Sequence, residues 1–390
     1  MALRANIVKN RRRARMNTRL FDEYLDSLEG LGIPSIDVRI NKDHKEIYRY
    51  LKGDADPVKG IKAGDDTRYL VFSMTKIQTM TALMQLVEAG KVSLEDDVAK
   101  YLPAYGKLTM KTPDNGTATC GPMLIKHLVS MQSGLDYDLE RKGIVEALKK
   151  YGQKATTRQI VDSFVETPLE FAPGTHFLYS LSHDVIAAVI EVVSGMSYGE
   201  YLKKNIWEPL GMKNTFFAKP MNDDDPLLAR QYIWDDPSQK IIPMDSSCCY
   251  QLSENYESGG AGLMSTSYDY SLIADALACF GVGKTGNRIL SEQSVNTIRT
   301  NLLGPASRED IKNTMGRLGY GYGVGMQILL EPELLGSPAK PGVFGWDGAA
   351  GAATIMYPEE HLSLVFMIHV RNYGYSYGTI HPKMRDLLFS

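Results

Sequence analysis

The stretch YLVFSMTKIQTMTALMQLVEAGKV, residues 69–92, places a serine where an apolar run ends and a helical pattern begins. Apolar residues at positions 74, 77, 84 and 87 form a stripe, and Gly90 suits the carboxyl end of a helix. The pattern therefore predicts that Ser73 lies at the amino end of a helix. Serine is a common N-cap, so this feature alone favours a structural role for Ser73.

Lys76, three residues later, favours a second role for Ser73. The first turn of a helix is electropositive, so a lysine there is unfavourable unless it serves another purpose. Residues three apart share a helix face, and burial shifts a lysine towards the neutral amine, which can act as a base. Because the N–H of Ser73 has no partner within the helix, it can also stabilise an oxyanion. The spacing predicts a nucleophile, its base and part of an oxyanion hole.

Bulk composition excludes several classes of protein. The chain has 390 residues, a formal net charge of −3 and no apolar run long enough to span a bilayer. We expect no nucleic acid partner and no membrane partner, and the basic start, residues 1–15, lacks the apolar run of a signal peptide. Four cysteines, at positions 120, 248, 249 and 279, form neither a disulfide framework nor a metal motif. We therefore predict a cytoplasmic protein, and its oligomeric state is left open.

Strand patterns occur at both ends of the chain and helical patterns between them. SIDVRINKDHKEIYRYLKG, from residue 35, predicts two strands, and three further strand patterns lie between residues 320 and 370. Gly and Pro separate the helical patterns between residues 94 and 303, with an irregular polar stretch at 219–260. We predict an α+β fold in which both termini build one antiparallel sheet. The predicted domains are a discontinuous α/β domain, 1–72 and 315–390, and a mostly helical domain, 73–314.

Several blocks in order resemble the serine β-lactamase and penicillin-binding-protein superfamily, and most closely its class C β-lactamase-like group, which includes esterases. The blocks are SMTKIQTMTALMQLVEAGKVSLEDDVAKYLP, IKHLVSMQSGL, FAPGTHFLYSLSHDVIAAVIEVVSGMSYGEYLKKNIWEPLGMKNTFF and ESGGAGLMSTSYDYSLIADAL. The similarity extends from about residue 36 onward. It implies a β-lactamase/transpeptidase-like fold, with Ser73 as nucleophile and Lys76 beside it.

The second family motif, Tyr-x-Asn, corresponds to YSL at residues 179–181. The resemblance implies that Tyr179 is catalytic, because a phenol near Lys76 could ionise or relay a proton. Leu181 replaces the asparagine and can form no hydrogen bond, which disfavours recognition of a β-lactam side chain. Ser182 or His183 could supply the missing contact; alternatively, Ser182 caps the next helix and His183 lies on its surface.

The third family motif, usually Lys-Thr-Gly or His-x-Gly, corresponds to Trp346, Asp347 and Gly348. Trp346 cannot pair with a substrate carboxylate and offers an apolar wall with one N–H; alternatively it is a core residue. Gly348 would let substrate approach the strand, and the N–H of Ala349 would complete the oxyanion hole with Ser73. Asp347 could bind a substrate amine or form a local hydrogen bond.

Other motif matches lack the context their chemistry needs. SPAK, residues 337–340, has no helix, and KTG, residues 284–286, follows a helix and nearly matches a P-loop without its strand. GMSYG, residues 195–199, matches the nucleophile elbow but follows a helix, so Ser197 is expected to be an N-cap. The seven histidines show no metal-ligand spacing. We expect no metal and no cofactor.

These observations predict a serine hydrolase that forms an acyl-enzyme on a small-molecule ester, amide or lactam. The missing asparagine and cation favour a carboxylesterase. A β-lactamase, a D-amino-acid peptidase or amidase and an acyltransferase share the same chemistry. A non-catalytic module that keeps the fold is the alternative from another class.

Overall fold

The computed structural model describes residues 17–218, 226–245 and 249–390. The basic start of the chain, Cys248 and parts of the polar stretch after residue 218 lie outside the described residues. The helices, numbered along the chain, are α1 (Thr18–Ser27), α2 (Thr75–Glu88), α3 (Ile125–Val129), α4 (Lys142–Tyr151), α5 (Thr157–Val161), α6 (Ser182–Ser194), α7 (Tyr198–Leu202), α8 (Glu208–Leu210), α9 (Ser267–Ala278), α10 (Glu292–Ile298), α11 (Pro305–Met315) and α12 (His381–Leu387).

The strands at the two ends of the chain occur where the patterns predict them, and short strands that were not predicted lie between residues 109 and 266. They are β1 (Ser35–Lys42), β2 (Lys45–Asp56), β3 (Ile61–Lys62), β4 (Arg68–Leu70), β5 (Thr109–Lys111), β6 (Thr117–Thr119), β7 (Phe216–Phe217), β8 (Tyr232–Asp235), β9 (Lys240–Pro243), β10 (Leu263–Thr266), β11 (Tyr320–Tyr322), β12 (Gln327–Leu329), β13 (Phe344–Asp347), β14 (Ala353–Tyr357), β15 (Leu362–Met367) and β16 (Val370–Arg371).

The main sheet joins the two ends of the chain. It has eight strands in the order β11-β12-β13-β14-β15-β1-β2-β3. Its neighbouring strands are antiparallel, and β1 pairs with β15 through Asp37 opposite Met367 and Asn41 opposite Ser363. The predicted antiparallel sheet is confirmed, and β1 and β15 bring the first and last parts of the chain together in its middle.

Both faces of this sheet are covered by helices. Val38 and Ile40 of β1 face the cluster that contains Phe21 of α1 and Met384 of α12. The alternating residue Arg39 points to the opposite face, where its Nε donates to Ser267 at the start of α9, as expected when successive side chains of a strand alternate. α9 lies within the predicted second domain but packs on the sheet. The boundaries at residues 72 and 314 stay a prediction.

Helix α2 lies at the centre of the molecule. The sequence predicts an amphipathic stripe, yet α2 also buries polar residues on its other faces, among them Lys76, Gln78, Thr79 and Thr81. Each of these side chains has at least one hydrogen-bond partner. The hydroxyl of Thr79, for example, donates to the carbonyl of Gly259 at 2.5 Å. Such satisfaction is what allows polar groups to be buried. The helix therefore forms a fixed platform for the residues at its amino end.

In the described part of the chain no single helix is long and apolar enough to cross a bilayer. One pair of helices bent by 76°, Ser182–Ser194 with Tyr198–Leu210, has the length and composition to do so.

Candidate active site

Ser73 lies in a 3₁₀ turn, Phe72–Met74, that leads directly into α2. Phe72 has a φ of +44°, in the left-handed region that non-glycine residues rarely adopt. Such local strain persists only where the surroundings hold it, and it is common at functional sites. The Ser73 hydroxyl accepts no capping bond from the first turn of α2, whose N-cap is Met74. The capping interpretation of Ser73 is therefore wrong, and its hydroxyl remains available.

Lys76 reaches the serine from the first turn of α2. Its Nζ lies 3.2 Å from Ser73 Oγ and donates to the carbonyl of Gly260 at 2.7 Å. The side chain is 0% exposed. Burial lowers the pKa of Lys76 from 10.5 to about 7, and the more distant carboxylates of Asp184 and Asp347 only partly oppose this. An amine with this pKa is a base at neutral pH.

Tyr179 packs against the same amine. Lys76 Nζ lies 4.7 Å from the centroid of the Tyr179 ring, and the Tyr179 hydroxyl accepts a hydrogen bond from Trp346 Nε1 at 3.1 Å. Burial raises the pKa of Tyr179, while hydrogen bonding to Ser73 and Trp346 opposes that shift. The phenol therefore stays protonated and can relay a proton, which makes Lys76 the better base. The tryptophan N–H serves Tyr179 and is not free for substrate.

Aromatic rings extend from Tyr179 in both directions. Tyr137 stacks on Tyr179 with ring centroids 5.6 Å apart, and Tyr250 packs edge-on to Tyr137 at 5.8 Å. Beyond these, Tyr250 packs against Phe72 at 5.7 Å, and Tyr179 stacks on Trp346 at 5.6 Å. We call these five residues the aromatic arc. It curves around Ser73 and Lys76 and forms an apolar wall beside the nucleophile.

Gly348 brings the end of β13 close to the serine. A Cβ at this position would lie 2.4 Å from the carbonyl oxygen of Val71. The glycine is therefore required by the close approach of two backbone segments, whereas the sequence predicted approach of a substrate. The next residue, Ala349, packs in the cluster that contains Phe72. Within the described residues its N–H has no hydrogen-bond partner, which fits the predicted second oxyanion donor.

Asp347 has a local partner. Its carboxylate forms an ion pair with the guanidinium of Arg317, and both side chains are largely buried. His381 Nδ1 lies 3.9 Å from the same carboxylate. Of the two interpretations of Asp347, the structure supports the local interaction, since an amine of a substrate would have to displace Arg317.

The residues after Tyr179 differ from the sequence prediction. Leu181 is 2% exposed and belongs to the main core, and His183 is fully buried. Neither side chain has surface for a substrate, so the expected contacts are not found, and the surface position of His183 is wrong. Ser182 does not cap α6; Leu181 holds the N-cap position, and the Ser182 hydroxyl hydrogen-bonds to Ser133 and Ser180.

Gly260 and Asp184 are site residues that sequence reasoning missed. The carboxylate of Asp184 accepts hydrogen bonds from Tyr256 at 2.7 Å and Ser258 at 2.6 Å, which fixes the segment before Gly260. A Cβ at Gly260 would lie 2.8 Å from Asp184 and 3.4 Å from Lys76. The block ESGGAG carried the family resemblance, but no spacing rule connects it with Lys76.

The motif matches that lacked context take structural roles. Ser197 is the N-cap of α7 and accepts a hydrogen bond from the N–H of Glu200, as predicted. Ser337 lies in a loop and binds the carboxylate of Asp386. The KTG sequence, residues 284–286, forms a turn after α9.

One group of side chains in the described residues has metal-ligating atoms close together. His44, Asp275 and Cys279 place them within 4.8 Å of one another. His44 Nδ1 and Asp275 Oδ2 are 2.7 Å apart, whereas two ligands of a tetrahedral zinc lie roughly 3.3 Å apart. We interpret the group as a structural contact in which the hydrogen bond between His44 and Asp275 connects the β1–β2 turn to α9.

Comparison with known proteins places this geometry in a family. The Beta-lactamase family model matches residues 18–378. Esterase EstB of Burkholderia gladioli is 26% identical over 397 residues, covering 95% of this chain and 94% of EstB. A candidate D-alanyl-D-alanine carboxypeptidase of Escherichia coli K12 is 24% identical over 369 residues, covering 89% of this chain and 80% of that protein. The chain belongs to the beta-lactamase family, as the resemblance implied.

The same fold occurs in solved structures. EstCE1, described as a hydrolase with promiscuous acyltransferase activity, superposes with a TM-score of 0.78 and 24% identity, covering 96% of this chain and 98% of EstCE1. The predicted β-lactamase/transpeptidase-like fold is confirmed, and the family is one of serine hydrolases. The cytoplasmic location, the absence of a membrane partner and the domain boundaries stay predictions.

Proposed function

We propose that the protein is a carboxylesterase that acts through an acyl-enzyme on Ser73. The observation that carries this proposal is the position of the Lys76 amine, 3.2 Å from Ser73 Oγ and with a pKa lowered to about 7 by burial. A buried, uncharged amine can take the serine proton as the hydroxyl attacks a carbonyl carbon. The resemblance to EstB supports an ester as the substrate.

The site residues supply each step of the reaction. Ser73 Oγ attacks the carbonyl carbon and its proton passes to Lys76, while the N–H groups of Ser73 and Ala349 stabilise the oxyanion. Collapse of the tetrahedral intermediate breaks the ester C–O bond, and the departing alkoxide takes a proton from Lys76 by way of the Tyr179 phenol. A water molecule then attacks the acyl-enzyme by the same sequence and releases the carboxylic acid.

The second and third motifs favour an ester over a β-lactam. Leu181 is buried and provides no amide contact, and Trp346 occupies the position of the usual cation while its N–H binds Tyr179. A β-lactam would therefore lack the amide contact to its side chain and the third-motif cation that pairs with its carboxylate. An ester needs only the nucleophile, the oxyanion donors and an apolar wall, which the aromatic arc provides.

The test combines covalent labelling with turnover. We expect a fluorophosphonate probe to add one mass adduct to the wild-type protein and none to Ser73→Ala. Ser197→Ala, which removes the serine of the nucleophile-elbow match, is the matched control and should label fully. Hydrolysis of 4-nitrophenyl butyrate should exceed that of a chromogenic cephalosporin. Faster cephalosporin turnover would refute the ester preference, and an undiminished adduct on Ser73→Ala would refute the nucleophile.

A further inference from the structure

The aromatic arc has an arginine at each end. Arg317 Cζ lies 5.7 Å from the centroid of the Trp346 ring, and Arg371 Cζ lies 5.5 Å from the centroid of the Phe72 ring. The first arginine is paired with Asp347. For Arg371, no carboxylate in the part of the chain that the structure describes lies within ion-pair distance. Its Nε is buried and has no hydrogen-bond partner there.

Arg371 lies beside the backbone that carries the two candidate oxyanion donors. Phe72, whose ring it covers, directly precedes Ser73. Burial raises the pKa of the Tyr377 phenol, and the positive charge of Arg371 acts in the opposite direction, with a smaller effect. The Tyr377 hydroxyl donates to the carbonyl of Gly348 at 2.9 Å, next to Ala349. The guanidinium is thus close to the residue before Ser73, at the opposite end of the aromatic arc from Trp346.

We propose that Arg371 binds a carboxylate of the substrate, so that the preferred substrates are esters that also carry a free carboxylate. A guanidinium presents a planar fork of donors that matches a carboxylate, and such a pair is strongest where water is partly excluded. Arg371 is half-buried, and a bound carboxylate would give its guanidinium the partner that its Nε lacks among the described residues. The proposal rests on the proposed esterase function and names its substrate class.

A packing role for Arg371 on Phe72 makes a different prediction. Stacking on a ring would support all substrates alike, because it would act through the position of Ser73. A carboxylate-binding role changes the preference between a charged substrate and its neutral counterpart. The informative quantity is therefore the ratio of kcat/KM values within a matched pair of substrates.

Two pairs of esters separate these roles and locate the carboxylate. 4-Nitrophenyl hydrogen adipate and its methyl ester carry the group on the acyl side; 4-acetoxybenzoate and its methyl ester carry it on the alcohol side. We expect the wild-type protein to prefer the acid over the methyl ester at least tenfold in one pair. Arg371→Gln should abolish this preference, Arg371→Lys should retain part of it, and 0.5 M NaCl should weaken it.

Arg299→Gln is the matched control. Arg299 also covers a phenylalanine ring, that of Phe280 at 6.0 Å, but it is paired with Glu359, so its loss removes one positive charge elsewhere. This variant should keep the wild-type ratio. The proposal is overturned if the wild-type protein prefers neither acid, or if Arg371→Gln lowers both members of each pair equally.

A binding measurement separates this proposal from the esterase function. 4-Acetamidobenzoate, an amide analogue of the alcohol-side acid, and monomethyl adipate, the acyl-side acid as a stable alkyl ester, can be added to Ser73→Ala and followed by thermal shift. One of them should raise the melting temperature more than its uncharged methyl ester, and Arg371→Gln should remove the difference. A wild-type protein that hydrolyses no ester would refute the esterase function, but the thermal shift would still report on carboxylate binding by Arg371. No difference in melting temperature with either acid would refute the carboxylate-binding role of Arg371.

Discussion

Two largely buried cations that pack on the aromatic arc, Arg317 on Trp346 and Lys76 on Tyr179, behave differently. Arg317 contacts a carboxylate, that of Asp347, and although burial opposes the charge, the pKa of Arg317 is raised by that neighbour. Lys76 is fully buried, and its nearest polar neighbours are a serine hydroxyl and a carbonyl. Its pKa is lowered to about 7. A guanidinium is a far stronger base than an amine and Arg317 also contacts an anion, so Arg317 keeps its charge. The fully buried amine of Lys76 has no contacting anion and loses its proton near neutral pH.

The two cations therefore have different roles: Arg317 supports the structure of the site, and Lys76 can take part in the reaction. A paired cation stays charged and fixes the strand that ends at Asp347. An unpaired amine exchanges its proton near neutral pH and can serve as a base. Four predictions test this distinction.

The largest effect is expected for Lys76→Met. Loss of the base should lower kcat/KM for 4-nitrophenyl butyrate by about 10⁴-fold, the upper end for general base catalysis. The protein should become more stable, because an unpaired buried amine is removed. The folded-state pKa of Lys76 lies below its ordinary value of 10.5, so the gain should appear below pH 10.5 and grow towards pH 7, measured by chemical denaturation. Lower stability than wild type across this range would contradict the comparison.

Arg317→Met should give the opposite result. It leaves the carboxylate of Asp347 buried without its partner, which typically costs about 3–5 kcal/mol. The free energy of unfolding should fall by this amount in urea. The double variant Arg317→Met with Asp347→Leu is the control, and it should recover most of the stability because neither charge remains. Equal stability of the single variant and wild type would show that Arg317 does not support the strand.

The pH dependence of turnover reports the free amine directly. Because the basic form of Lys76 is required, kcat/KM should fall about tenfold for each pH unit below its pKa of about 7 and reach a plateau above it. Stopped-flow assays between pH 5 and 9 measure this. Asp184→Asn removes a charge that raises the pKa of Lys76, so it should move the midpoint to lower pH. An upward shift would contradict the assignment of the base.

The smallest effect is expected for Trp346→Phe. This change keeps the apolar wall and removes the N–H that binds the Tyr179 hydroxyl at 3.1 Å. One neutral hydrogen bond contributes about 0.5–1.5 kcal/mol, so kcat should fall roughly 2- to 12-fold. Steady-state kinetics should show the change in kcat, with KM nearly constant. A large rise in KM alone would indicate that Trp346 binds substrate rather than Tyr179.

Sequence patterns predicted the parts of the site that lie close together in the chain. Ser73 and Lys76 are three residues apart on one helix, so helical geometry alone brings them into contact. The sheet was also predictable, because alternating patterns at the two ends needed each other to bury an apolar face. Tyr179 and the Trp346–Ala349 segment came from the family resemblance, and their catalytic roles stay predictions.

Other features could not be predicted because they depend on contacts between distant segments. The sequence around Asp347 does not indicate whether its carboxylate forms an ion pair with Arg317 or binds substrate. His183 was expected on a helix surface, yet it is fully buried and lies beside Gly325, which also contacts Met80. Tyr137, Tyr250 and Gly260 join the site only through the packing of loops around α2.

The sequence by itself determined the two-ended sheet and a serine–lysine pair at a helix start, because these follow from local periodicity and short-range geometry. It also determined the family, through the resemblance of several blocks that occur in the same order. The tertiary structure alone decided which cations are paired, which phenol contacts the amine and how far the pKa of Lys76 falls. Desolvation and charge pairing depend on every group packed around an atom, and most of those groups come from remote parts of the chain.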